Sequence, residues 1–118
     1  MTKQKGWIGV DLDGTLAEYH GWAGIEHIGD PIKPTLDRVK LLLAQSDYDV
    51  KIFTARVANP SQADEARKFI QNWCEAVGLP VLEVVFAKDF AMVELWDDRC
   101  VAVEHNTGRF LNPSSVIR

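Results

Sequence analysis

The sequence has little cysteine, no block of one charge and no long apolar run. Its two cysteines, Cys74 and Cys100, stand far apart, without the spacing of a metal site or the density of a disulfide scaffold. Cys74 falls among the apolar positions of an expected helix and Cys100 opens an apolar run, so both read as small buried hydrophobes. Lys and Arg number 13 against 17 Asp and Glu, a net charge of −4 with no dense basic stretch. That balance gives no strong nucleic-acid signal. The opening "MTKQKGW" is basic, but no apolar segment follows it, and nothing approaches the length of a membrane span. The expectation is a cytoplasmic protein with no membrane partner. Repeats, low-complexity segments and a second-domain boundary are also missing, so residues 1–118 read as a single domain. A chain of this size buries about two-thirds of its unfolded surface, enough for one core without staples.

What is present begins with "GVDLDGTLAEY" at 9–19. A short apolar strand, "WIGV" at 7–10, runs into two carboxylates, Asp11 and Asp13, and then Gly14 and Thr15. Residues 17–33 carry three glycines and Pro31 without clean periodicity, which predicts a long ordered loop or flap. "PTLDRVKLLLAQ" predicts a helix, with Pro34 in its first turn and Leu36, Val39, Leu42 and Leu43 on one face. "DVKIFTAR" reads as a second strand. "NPSQADEARKFIQNWCEAVGLP" is the clearest helix, with Ser61 as N-cap, Asp64 and Glu65 in the first turn, and Gly78 and Pro80 as its stop. "LEVVF", "AMVELW" and "CVAVE" read as three further strands. The last two lie too close for a parallel crossover, so the fifth is expected antiparallel to its neighbour or extending past it. The early alternation of strand and helix implies right-handed crossovers and a mainly parallel sheet of about five strands.

Each of the first four strands leads to a chemically useful group. The first reaches Asp11 and Asp13, the second Thr54 and Arg56, the third Lys88, and the fourth Asp97 and Asp98. In parallel α/β sheets, ligands bind outside the carboxyl ends of the strands. Two carboxylates about 4 Å apart repel by about 4 kcal/mol at an effective dielectric of 20. Several such pairs call for a cation, and oxygen-only ligands at an open site favour Mg²⁺ shared with a phosphate. Lys88 and Thr54 then suit phosphate oxygens, and Gly14 lets the backbone turn and present amides to an anion.

In this order, "DLDGTL" at 11–16, "FTAR" at 53–56, Lys88 and "WDDR" at 96–99 resemble the haloacid dehalogenase superfamily of phosphatases. "IGDPIKP" also resembles small members that lack a large cap. The resemblance implies a Rossmann-like three-layer α/β sandwich without a cap domain. It implies Mg²⁺-dependent hydrolysis of phosphomonoesters through an aspartyl-phosphate. Asp11 would be the nucleophile, and Asp13 would protonate the leaving alkoxide and then deprotonate water. Thr54 and Lys88 would clamp the phosphoryl oxygens, with Leu12, Gly14, Ala55 and Arg56 completing the phosphate-binding set; Arg56 equally suits a pair with a nearby carboxylate. Asp97 would ligate Mg²⁺ with Asp11 and the Asp13 carbonyl, and Asp98 would bind through a water or orient the ligands. Asp13 separates the chain from dehalogenases, which lack that second aspartate.

Asp89 follows Lys88 where many relatives have proline; a Lys88–Asp89 pair would weaken the hold on phosphate, and Lys51 is the reserve cation. With no cap, specificity falls to the flap, where His20, Trp22, Glu26 and His27 can reach a leaving group. The substrate class spans small phosphate esters and macromolecular ends. Trp7, Trp73 and Trp96 read as core, and Glu104, His105 and Arg109 as surface structure. The rivals are a non-catalytic phosphoryl-ligand binder of the same fold and a receiver-type signalling domain. The receiver needs a phosphorylatable aspartate at its middle strand, where this chain has Thr54 or Lys88.

Overall fold

A computed structural model describes residues 5–117. The apolar run after Gly6 forms β1 (Trp7–Asp11), buried on both sides as far as Val10. It is followed by α1 (Lys33–Gln45), β2 (Asp49–Phe53), a single 3₁₀ turn (Ala55–Val57), α2 (Ala63–Ala76), β3 (Glu83–Val85) and β4 (Met92–Trp96). The four strands make one parallel sheet in the order β3-β2-β1-β4. Asp11 stands opposite Phe53, Phe53 opposite Val85, and Val10 opposite Trp96, so the carboxyl ends of the strands form one edge.

Side chains alternate across that sheet. Ile8, Val10, Val50, Ile52 and Val84 share one face and pack with Leu36 and Val39 of α1 and Ala66, Ile70 and Cys74 of α2. The crossovers from β1 to β2 and from β2 to β3 step in the same direction, so right-handedness puts both helices on this face. Among the described residues no helix covers the other face. It is crossed instead by 86–91, which carries the chain from β3 past β2 and β1 to β4. Trp7 anchors that crossing: its indole donates to Asp89 Oδ1 at 2.9 Å and its amide to the Ala91 carbonyl at 3.0 Å. Lys51 sits 4.7 Å from the centre of the Trp7 ring and pairs with Glu83 at 3.3 Å.

Four expectations change. Ser61 does not cap α2; it turns back on Asn59 Oδ1, and Gln62 holds the cap position without a side-chain bond. Asp64 and Glu65 do occupy the first turn. "CVAVE" makes a single antiparallel bridge, Val103 with Phe110, rather than a fifth strand. Asn106 and Gly108 turn the chain there with positive φ, and Glu104 and Arg109 close the turn as an exposed pair at 2.6 Å. Cys100 is exposed, whereas Cys74 is buried with its thiol pushed up to about 11 by burial, which leaves it protonated. Trp7 is core, while Trp73 and Trp96 are half-buried.

The flap is built on a ladder. Ala17 bridges Pro31, the Glu18 amide donates to the Asp30 carbonyl, and the Ile32 amide donates to that of Leu16. Gly29 is required at this ladder, because a Cβ there would meet the Glu18 carbonyl oxygen at 2.1 Å. The Trp73 indole holds the Gly29 carbonyl from α2 at 3.0 Å. Among the described residues, no helix is long and apolar enough to cross a membrane.

Candidate functional site

β1 is flanked by β2 on one side and β4 on the other. The chain leaves β1 toward β2 and returns to β4 much later, so the crevice at their carboxyl ends is a topological switch point. A cavity of about 500 Å³ opens there, lined by Asp11, Asp13, Thr54, Arg56, Asp97 and Asp98, with Arg99 beside them. Phe53 and Ala55 line its floor, Asn59 and Gln62 lie toward α2, and Tyr19, Trp22 and Ile25 come from the flap.

The two aspartates that follow β1 have separate partners. Asp11 belongs to an acidic cluster with Asp97 and Asp98, each offering one oxygen within 4.8 Å of the others. Burial first, then a hydrogen bond with Asp98 and the repulsion of Asp97 and Asp98, push the Asp11 carboxyl up to about 7. Thr15 binds the cluster together: its hydroxyl lies 3.3 Å from both Asp11 Oδ2 and Asp98 Oδ1 and accepts the Asp98 amide at 3.0 Å. Gly14 allows this approach. Its φ is +89°, and a Cβ would meet Asp98 Oδ2 at 2.5 Å. Three carboxylates without nitrogen or sulfur donors suit a hard divalent cation, and their mutual repulsion needs either a proton or such an ion.

Asp13 is turned away from that cluster and gripped by Arg56. Arg56 Nε and Nη2 donate to its two oxygens, each at 2.8 Å, a fork-on-fork pair with the guanidinium side chain only 5% exposed. The side chain of Asp13 therefore stands outside the expected metal set. The rest of the guanidinium binds the flap, so Arg56 is committed within the protein rather than free for phosphate.

Thr54 is buried at the end of β2. Its amide donates to the Val85 carbonyl, and its hydroxyl accepts the Arg56 amide at 3.1 Å as the cap of the 3₁₀ turn. The hydroxyl proton stays free to donate. Leu12 is buried, with its carbonyl accepting from Thr15, Leu16 and Ala17. The Gly14 amide, expected to face an anion, donates to the Ala17 carbonyl at 2.8 Å.

Lys88 does not join the cavity lining. β3 ends at Val85, and the chain turns from the edge into the crossing segment, leaving Lys88 exposed. It pairs with no carboxylate among the described residues. The Trp7 indole, with the Ala91 amide, occupies Asp89 and holds its carboxyl below the usual range. Lys51 is taken by Glu83 and Trp7. Arg99 supplies a cation at the cavity instead; its amide is fixed by Asp97 Oδ1 at 2.7 Å. Thr15 and Arg99 join the site without a role implied by the resemblance, although both lie inside its motifs "DLDGTL" and "WDDR". Of His20, Trp22, Glu26 and His27, Trp22 alone lines this cavity.

No protein-family model matches the chain, and no curated protein or solved structure matches it.

Proposed function

We propose that this chain is a Mg²⁺-dependent phosphomonoesterase of the haloacid dehalogenase type, without a cap domain. The observation that carries the reading is the convergence of Asp11, Asp97 and Asp98 oxygens within 4.8 Å at the strand-end crevice. Sheet order β3-β2-β1-β4 supports it, matching the first four strands of a doubly wound sheet of order 3-2-1-4-5-6.

Asp11, Asp97 and Asp98 would hold the cation, which when bound screens Asp11 from the phosphate oxygens. Asp11 attacks phosphorus as the ester P–O bond breaks, and Asp13 gives the departing alkoxide its proton. Asp13 then takes a proton from water, whose oxygen attacks the aspartyl-phosphate, releasing phosphate and restoring Asp11. The Thr54 hydroxyl donates to a phosphoryl oxygen. Arg99 takes the charge-pairing role that the family pattern gives to Lys88, because it is the cation at the cavity with no ion-pair partner among the described residues.

The test is hydrolysis of an aryl phosphate with and without Mg²⁺. Asp11→Asn is expected to lose about a thousandfold or more in kcat. Arg99→Ala is expected to raise KM about tenfold, and Lys88→Ala to stay within about twofold of the parent. Wild-type release without Mg²⁺ dependence, or full activity in Asp11→Asn, would refute the assignment. The Arg56 grip on Asp13 favours one other reading, a phosphoryl-ligand binder without turnover. It predicts Mg²⁺ and phosphate stabilisation with no hydrolysis.

A further inference from the structure

Arg56 touches more of the protein than Asp13. Its Nη1 donates to the Ile25 carbonyl at 3.3 Å and its Nη2 to the His27 carbonyl at 3.0 Å, both in the flap. The guanidinium also lies 4.9 Å from the centre of the Trp22 ring. One planar group thus holds two flap carbonyls, one flap aromatic and both oxygens of Asp13. Its own base is fixed, since the Arg56 amide is tied to the buried Thr54 hydroxyl.

The flap base is secured separately by its backbone ladder and by Trp73. Toward the tip, Ile28 packs on the core. Among the described residues, the polar contacts between the tip and the body of the protein run through Arg56. Trp22 is 58% exposed and lines the cavity, so this tip is the part of the flap that meets a ligand.

We propose that Arg56 is a positioning residue that couples flap closure to the orientation of Asp13. The role of Asp13 in this coupling rests on the phosphatase reading; the coupling itself does not. With the flap closed, the fork sets both Asp13 oxygens. Displacing the tip removes two carbonyls and an aromatic ring from the guanidinium, which is then free to swing and take the carboxylate with it. With the flap closed, both Asp13 oxygens accept from Arg56 and face away from the acidic cluster, so Asp13 exchanges a proton with a leaving group only once the tip is displaced and the fork opens. Lysine cannot replace the arginine, because one ammonium cannot bind two oxygens in a plane while reaching Ile25 and His27.

The test is hydrogen exchange at the His27 amide, which donates to the Gly24 carbonyl within the flap, in the full-length protein without substrate, in the parent, Arg56→Gln, Arg56→Lys and Asp13→Asn. The coupling predicts that all three variants speed flap exchange about tenfold or more, while α1 and α2 keep their protection. Asp13→Asn is the decisive arm, because Asp13 lies outside the flap and the change is isosteric; it also reads out if Arg56→Gln fails to fold. Parent-like flap exchange in Asp13→Asn, or full recovery of protection in Arg56→Lys, would overturn the proposal. Aryl phosphate turnover in Arg56→Lys should change in kcat more than in KM. A chain with no turnover leaves the exchange result standing, so failure of the phosphatase reading is separable from failure of the coupling.

Discussion

At the scale of single residues, the site is governed by which partner each carboxylate finds. Asp11 meets two other carboxylates and is pushed up to about 7, from an ordinary 3.8. The unfolded chain releases that proton near pH 4, and the native protein keeps it until about pH 7. Native protein binds more protons in that window, so its stability falls as pH rises through it and the contribution is gone above 7. In EDTA, the melting temperature is therefore expected to drop between about pH 4 and 7, and to flatten in Asp11→Asn. Added Mg²⁺ should reverse the drop and release protons near pH 7, seen as a buffer-dependent heat of binding by calorimetry. A flat melting profile in EDTA would contradict this picture of Asp11. The aspartates and Thr54 were legible in sequence because each stands where an apolar run stops. The division of Asp13 from the acidic cluster was not, because it depends on a guanidinium 43 positions away in the chain.

At the scale of elements, α1 and α2 were legible from their apolar stripes, and four of the five expected strands formed. Ends were less so. Ser61 fails as a cap because Asn59 competes for it locally, a contest that residue type alone does not decide. The C-terminus of α1 holds a surprise of the same kind: Ser46 takes the left-handed conformation, φ 62°, with its amide on the Leu42 carbonyl. An L-residue there costs about 1 kcal/mol that glycine avoids. Ser46→Gly is therefore expected to stabilise the protein by about 0.5–1 kcal/mol in urea titration, with activity unchanged. A loss of stability would mean that the Ser46 hydroxyl, 3.3 Å from the Leu43 carbonyl, matters more than the backbone. The fifth strand was misread because alternation shows that a segment can be half-buried but not that a neighbouring edge awaits it.

At the scale of the whole molecule, order is unevenly spread. The radius of gyration is 15.1 Å, against about 13.5 Å expected for a domain of this length. Phe90, Phe110, Leu111, Val116 and Ile117 remain exposed, four of the five in the irregular residues after Trp96. The two helices and three strands of the first 85 residues follow one another through short connections, whereas β4 pairs with β1 only after the chain has crossed the sheet. Mg²⁺ bridging Asp11 to Asp97 and Asp98 should tie β4 to β1. Exchange at residues 92–98 is thus expected to slow with Mg²⁺ more than at 83–85, and equal slowing would argue against a site shared by the two strands.

That pairing of the first strand with the last also has a consequence for synthesis. Contacts so distant along the chain form late, after the local crossovers have closed. Asp11 leaves the ribosome early, but its acidic partners emerge some 86 positions later. A nascent chain can assemble the α1 and α2 layer while holding no acidic cluster at all. On the proposed function, chemistry at Asp11 waits until translation has passed Asp98.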